Sequence, residues 1–430
     1  MSQALPSGRN FLKIRDAARL IGVSENTLRN WDRAGHLRAF RHPINGYRLY
    51  RVADLHALLD RVSDLPLDSE LSLINQQLDL SFVDRPVTPQ LAPPLTAELP
   101  CHWTMKVALD PKHRPQTWNS PSSTVRRDWR KFPQEAHVLD REERHYRRLT
   151  VDEIAVLQGF DPKVVHVRSL SERQRIAALG DAVPPPIAKA LISGIGNTLS
   201  WNNRTAIEIC AGMGGLAEGA AAAELTHLLL IDSSLDCASL LKNNRPWVSE
   251  NVVTADVKTF DFSRYCERVG LLSGGPPCQP WSQSGLRGGS TDQRDLLGFM
   301  PELVASILPE VFLFENVPGL AMFDDGKYLN NLVWRLREPK VGLRYGVLVA
   351  VLNAADFGVP QIRKRLFILG LRGKLGSLAS DCFDAVSRLR THRDPSTVGV
   401  DLPNWRSVGD ALQNLADPGT WRKWIGGGIG

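Results

Sequence analysis

The sequence predicts an α/β protein in which a doubly wound sheet follows a small N-terminal unit of two helices and a hairpin. Three observations carry this. Short apolar runs at 206–210, 228–231 and 252–254, each ending near a small residue or an acid, alternate with helical stretches in the second half of the chain. The first run leads into Ala211-Gly212-Met213-Gly214-Gly215 and an alanine-rich helix to Ala223, and such glycines let backbone approach a ligand at a strand end. Near the N-terminus, two helical patterns separated by Gly22 precede an Asn45-Gly46 turn between strand-like residues.

With 430 residues, 43% hydrophobic and 23% charged, the chain has room for two or three globular domains with full cores. Cys101, Cys210, Cys237, Cys266, Cys278 and Cys382 include no Cys-x-x-Cys pair, which argues against a disulfide framework and a structural zinc site. No signal-peptide core and no long apolar run occur, so the expected location is cytoplasmic, with no membrane span. A net charge of +6 favours a polyanionic partner only slightly.

In the N-terminal unit Ile14, Ala17, Ala18 and Ile21 recur at helical spacing. Ser24 caps a second helix, with Val23 and Leu28 at the staple positions, and Gly35 ends it. Leu28 and Trp31 then face inward, which leaves Arg29, Asn30 and Arg33 outside, where a DNA major groove could receive them. Residues 41–50 read as a wing whose arginines, Arg48 among them, can hold phosphates, and Leu55, Leu58 and Leu59 suggest a closing helix. This stretch, with its Gly22-Val-Ser-x-x-Thr-Leu-Arg-x-Trp31 core, resembles the MerR-type winged helix-turn-helix. The alternative is a small protein-interaction domain with solvated arginines.

Eight prolines between Asp64 and Pro121 read as a tether with patches of structure. Beyond it, Thr150 and Glu153 sit at capping-box positions of a helix that Gly159 stops, and Pro184-Pro185-Pro186 opens another running from Ile187 to Ile195.

Asp232 and Asp256 close the second and third strand runs beside the glycine turn, where acids can bind ribose hydroxyls. Each alone could equally be a cap or turn residue. No Gly-x-x-x-x-Gly-Lys-Ser/Thr loop is present, so an adenosine bearing a sulfonium fits better than ATP, and S-adenosylmethionine is the natural choice.

Further on, Gly274-Gly-Pro-Pro-Cys278-Gln279-Pro-Trp281 and Phe314-Glu315-Asn316-Val317 supply a soft nucleophile and an acid. A thiolate adds to cytosine C6 only if N3 is protonated or strongly hydrogen-bonded, and Glu315 is the candidate for that task. With Asp292-Gln-Arg294 and Gln361-Ile-Arg363-Lys-Arg365, the set resembles the cytosine-5 DNA methyltransferases over residues 205–372.

The resemblance implies the S-adenosylmethionine-dependent methyltransferase fold, with double-stranded DNA as substrate. It makes Cys278 the nucleophile and places Glu315 on cytosine N3. Arg365 contacts the base and holds Glu315, Arg363 supports them, and Asn316 shapes the site. Cys210, Gly212, Gly214, Asp232, Asp256, Leu297 and Asp181 would line the cofactor pocket. The loop from Gln279 to Arg294 would close over a flipped base, with Gln279 on the DNA and Ser284 filling the vacated stack.

Three departures accompany the resemblance. Arg148-Leu-Thr150-Val-Asp-Glu153 and Gly180-Asp181-Ala-Val-Pro184 match motifs that the family places near its C-terminus, so the chain reads as circularly permuted. Asp181 stands where the family has asparagine, and Gly270 replaces a common acid. The expected organisation is a DNA-binding unit at 1–62, a linker or part of a target-recognition region at 63–120, the permuted portion at 121–200, the catalytic core at 201–375 and a C-terminal segment at 376–430 that could begin the target-recognition region. Target recognition could be shortened, lie in the front unit, or come from a second polypeptide. The competing function is a DNA-binding transcriptional regulator with an inactive methyltransferase body; methylation of transfer RNA is a third reading.

Overall fold

The computed structural model describes residues 11–13, 17, 32, 37–41, 48–51, 114–129, 133–199, 201, 203–243, 245–277 and 295–424. The chain divides into two units, Met1–Leu91 and Ala92–Gly430.

In the first unit β1 (Phe11–Lys13), β2 (Phe40–Arg41) and β3 (Arg48–Arg51) form an antiparallel sheet in the order β1-β3-β2. Phe40 faces Leu49 and Arg41 faces Arg48 across the wing. Strand β1 was not foreseen, because its three residues are too short a run to show a period. Tyr50 and Ala17 are fully buried. Asp32 accepts the Ala39 amide at 3.0 Å and the Arg48 Nε at 2.7 Å, which ties the wing to the second helical segment. The Asn45-Gly46 turn and most of both helices lie outside the described residues.

The second unit holds a seven-stranded sheet of β6 (Thr205–Ile209), β7 (Thr226–Asp232), β8 (Val252–Thr254), β9 (Leu271–Gly274), β10 (Val311–Asn316), β11 (Tyr345–Asn353) and β12 (Lys364–Arg372). Its order is β11-β12-β10-β9-β6-β7-β8. The five strands from β10 to β8 are parallel, and β12 runs antiparallel to both its neighbours. From β6 the chain winds outward through β7 and β8, then returns to β9 on the other side. Strands β6 and β9 therefore flank the topological switch point, where a ligand crevice opens at the carboxyl ends.

Helices α3 (Pro185–Leu199), α4 (Gly215–Ala222) and α8 (Ala379–Arg388) supply Ile187, Leu191, Leu216 and Val386 to the core on one face. On the other face α6 (Met300–Ile307) and α7 (Lys327–Arg337) pack Val304 and Leu332 against Ile207 and Phe314. Every residue of β10 is buried, as expected of a central strand covered on both sides.

A third core joins α1 (Val151–Leu157), α2 (Glu172–Asp181) and α9 (Val408–Leu412) through Ile154, Leu157, Leu179 and Val408. Beside it lies a small antiparallel sheet of β4 (His137–Leu139), β5 (His145–Arg148) and β13 (Arg422–Lys423). The Thr150 capping box forms as the sequence predicts, and its Glu153 is also gripped by both terminal nitrogens of Arg147.

The proline-rich tether ends sooner than the sequence suggests. From Arg114 the chain is built into the second unit: Gln116 bridges to Val138, Ser122 to Gln361, and Val125 and Trp129 are buried. Pro115 stands in this segment without interrupting a strand ladder, so proline density alone overstated the tether.

Candidate active site and cofactor pocket

The cofactor loop takes its shape from a few backbone positions. After β6, Cys210 adopts a left-handed φ of 48°, strain that surrounding bonds must hold in place. Gly212 and Gly214 follow with φ of 55° and 82°. An added Cβ on Gly212 would meet nothing within 4 Å, so the backbone there borders open space. At Gly215 the opposite holds: a Cβ would lie 1.8 Å from the Val183 carbonyl oxygen, so the segment leading into α3 packs directly on the loop.

Asp232, at the end of β7, accepts the Gly212 amide through Oδ2 and the Ser234 amide through Oδ1, both at 2.8 Å. It thereby links the loop to the N-cap of α5 (Leu235–Leu241), and the remaining lone pairs of its carboxylate stay free for hydroxyls. Asp256 is exposed and caps a turn by accepting the Lys258 amide at 2.9 Å. Burial first, then the charges of Asp232, Asp256 and Glu208, hold the Cys210 thiol far above the usual range, so it is inert. Beneath the loop, the buried Arg245 pairs with Glu218 and donates to the Met213 carbonyl. No local pattern marks this role, because Arg245 sits in a polar loop between two elements. Leu297 departs from the expected role, since its side chain is wholly buried in the core with Ile209 and Phe314 and presents no surface to a ligand.

On the other side of the switch point, β10 delivers Glu315 and Asn316. Asn316 donates to the Pro276 carbonyl at 3.1 Å and accepts the Val317 amide at 2.9 Å, so it fixes the turn that approaches position 278. Glu315 is buried, and Arg365 Nε on β12 lies 2.7 Å from its Oε1. Burial raises the Glu315 pKa, against the opposing pull of Arg365 and Arg363. A carboxyl held toward its protonated form beside a fixed guanidinium can donate a proton or a strong hydrogen bond.

The resemblance has Arg363 support Glu315 and Arg365, and its guanidinium hydrogen-bonds to backbone carbonyls of other segments. It is fully buried and donates to the Val125 carbonyl at 3.1 Å and the Gly180 carbonyl at 2.7 Å. Gln361 works alongside: it accepts the Val125 amide at 3.0 Å and donates to the Leu157 carbonyl at 3.1 Å. These two side chains stitch the segment around 125, α1 and α2 to the start of β12. Asp181, at the end of α2, meets Arg127 at 2.8 Å. Cys278, Gln279 and Ser284, with Arg29, Asn30 and Arg33 of the first unit, lie outside the described residues, whereas Arg48 is engaged by Asp32 as noted above.

A glycine loop and paired acids at the switch point of such a sheet define a methyltransferase-like α/β fold with a nucleoside-cofactor crevice. Residues 100–197 and 204–399 match the C-5 cytosine-specific DNA methylase family, and 13–50 match the MerR family regulatory protein model. The chain belongs to the C-5 cytosine-specific DNA methylases and carries a MerR-type helix-turn-helix at its front. It is 36% identical over 170 residues to the type II methyltransferase M.NaeI of Lentzea aerocolonigenes, spanning 39% of this chain and 40% of that protein. Identity is 40% over 172 residues to M.PspPI of a Psychrobacter species, spanning 39% and 40%. To M.AquIA of a Picosynechococcus species it is 31% over 222 residues, spanning 49% of this chain and 88% of that protein. The match thus spans only about two-fifths of the length of the first two relatives, 40% of each.

Proposed function

We propose that the protein is a DNA cytosine-5 methyltransferase acting on a flipped cytosine in duplex DNA. The observation that carries this is the buried Glu315–Arg365 pair, 2.7 Å apart across β10 and β12, with β10 lying beside the strand β9 that leads to Cys278. Glu315 donates to cytosine N3 while Arg365 fixes its orientation. That withdraws electron density from C6, where the Cys278 thiolate adds. Loss of the C5 proton later re-forms the double bond and expels the thiolate.

S-adenosylmethionine, when bound, supplies the electrophilic methyl group for C5. The crevice suits it: open space borders Gly212, Asp232 braces the loop and keeps lone pairs for ribose hydroxyls, and no phosphate loop is present. Gly212, Gly214 and Asp232 would hold its nucleoside, and Asp181 would stand near its amino-acid end. With DNA as substrate the protein works in the cytoplasm, and the type II relatives favour a restriction-modification setting.

The same reading includes circular permutation. The helix α3 that follows Gly180-Asp-Ala-Val-Pro184 packs beside α4 and α8, and residues 201–204 join it to β6. The two ends of the catalytic unit meet: β13 pairs with β5, and Gly409 donates to the Trp118 carbonyl at 2.8 Å. On this reading, a target-recognition region that an unpermuted relative inserts between those segments would be opened. Recognition then falls to residues flanking the small sheet, to the front unit, or to a second polypeptide. Methylation of DNA by the purified chain alone would exclude the last.

The experiment that separates enzyme from regulator is transfer of radiolabelled methyl to duplex DNA and to RNA. Cys278-dependent label on duplex DNA is expected, with Cys278→Ser reduced to background. DNA binding without label across varied duplexes would support the regulator, and preferential labelling of RNA would replace the DNA substrate.

A further inference from the structure

We infer that Arg127 and Asp181 form a clamp for the zwitterionic amino-acid end of the S-adenosyl cofactor, Arg127 taking the carboxylate and Asp181 the ammonium group. The inference rests on the cofactor reading above and adds to it Arg127, which precedes the Arg148-Leu-Thr150 motif within the matched region.

The pair is open to a ligand yet rigidly based. Arg127 Nη1 lies 2.8 Å from Asp181 Oδ2, and the two side chains are 70% and 51% exposed. Their backbones are locked together: a Cβ on Gly180 would lie 2.3 Å from the Arg127 amide nitrogen, so only glycine permits this approach. Arg363 ties the same two segments by donating to the carbonyls of Val125 and Gly180.

The position is the right one. Two residues after Asp181, the Val183 carbonyl abuts Gly215 of the cofactor loop. The Asp181 charge is felt on the base side, where it adds to the upward shift of Glu315. It is also felt on the nucleoside side, where burial and then the charges of Asp232, Asp181 and Asp236 push the Cys237 thiol up to about 11. Asp181 follows Gly180, which Arg363 ties to the start of β12, and precedes Val183, which abuts the cofactor loop, so contacts on either side of it reach both halves of the crevice. A methyl donor must place its sulfonium there, with the adenosine on one arm and the amino acid on another.

The charges also suit the ligand. Asp181 is a carboxylate with a guanidinium beside it, and the two opposite charges match the two charges of an α-amino acid. An exposed ion pair contributes little by itself, so exchanging it for contacts to a zwitterion costs little.

Calorimetric titration of the full chain with S-adenosylmethionine and with 5′-methylthioadenosine, which lacks the amino-acid end, tests this without relying on turnover. Arg127→Ala is expected to weaken S-adenosylmethionine by about 10-fold or more, the usual scale of a lost charge-assisted contact, and to leave methylthioadenosine within about 2-fold. Arg127→Lys should retain most of the affinity. Equal losses for both ligands would overturn the clamp alone. So would unchanged S-adenosylmethionine affinity with weakened DNA binding, which would assign Arg127 to a phosphate. Failure of the unaltered chain to bind either ligand would overturn the cofactor reading and the clamp with it.

Discussion

Glu315→Gln is expected to lower methyl transfer by about 10³-fold, within the usual range for loss of general acid catalysis, while S-adenosylmethionine affinity stays within about 2-fold. Glutamine preserves the volume and can still accept from Arg365, so the fold survives. It cannot donate a proton to N3 as the acid does. The Glu315 pKa is raised by burial, so the protonated, donating form persists above the ordinary carboxyl range and is lost as pH rises through the shifted value. The single-turnover rate should therefore fall on the alkaline side, after a rise that reflects thiolate formation. In Glu315→Gln the falling limb should vanish. Equal loss of transfer and cofactor affinity would contradict the role assigned to Glu315, and so would a falling limb that persists in the variant.

Arg363→Ala should have the largest effect on stability. It leaves the Val125 and Gly180 carbonyls without their buried donor and opens a cavity under the start of β12. The two costs together come to about 3–5 kcal/mol. The thermal midpoint should drop by roughly 5–10 °C in a unit of this size. Lysine should recover less than half, because a single ammonium group cannot span two carbonyls as the guanidinium fork does. Thermal unfolding by circular dichroism reads this directly. A midpoint unchanged in Arg363→Ala would show that the two carbonyls find other donors.

Local patterns carried most of the fold. The strand runs, the Thr150 capping box and the glycine turn are written in neighbouring residues, and each forms where the pattern puts it. What escaped was contact between distant segments. Arg127 with Asp181, Arg245 under the cofactor loop, and Arg363 with Gln361 against residues 122–125 all join positions separated by long stretches of chain. No periodicity records such pairs. Arg363 is an example: its motif suggests support for Glu315 and Arg365, but nothing local reveals that it is fully buried with two carbonyl partners that tie distant segments together. Leu297 is similar, because an apolar residue beside a motif reads the same whether it lines a ligand or fills the core. Proline density was the other misleading signal, since the segment from Arg114 is held by backbone bonds to Val138's neighbours and to residues 360–362.

The most direct test of covalent cytosine chemistry uses duplex DNA containing 5-fluorocytosine, incubated with the full chain and S-adenosylmethionine. Fluorine at C5 cannot leave as a proton does, so the Cys278–C6 bond should persist. The expected result is a protein–DNA complex that survives denaturation and disappears in Cys278→Ser. Absence of any such complex across DNA of varied sequence, or a complex that persists in Cys278→Ser, would contradict it.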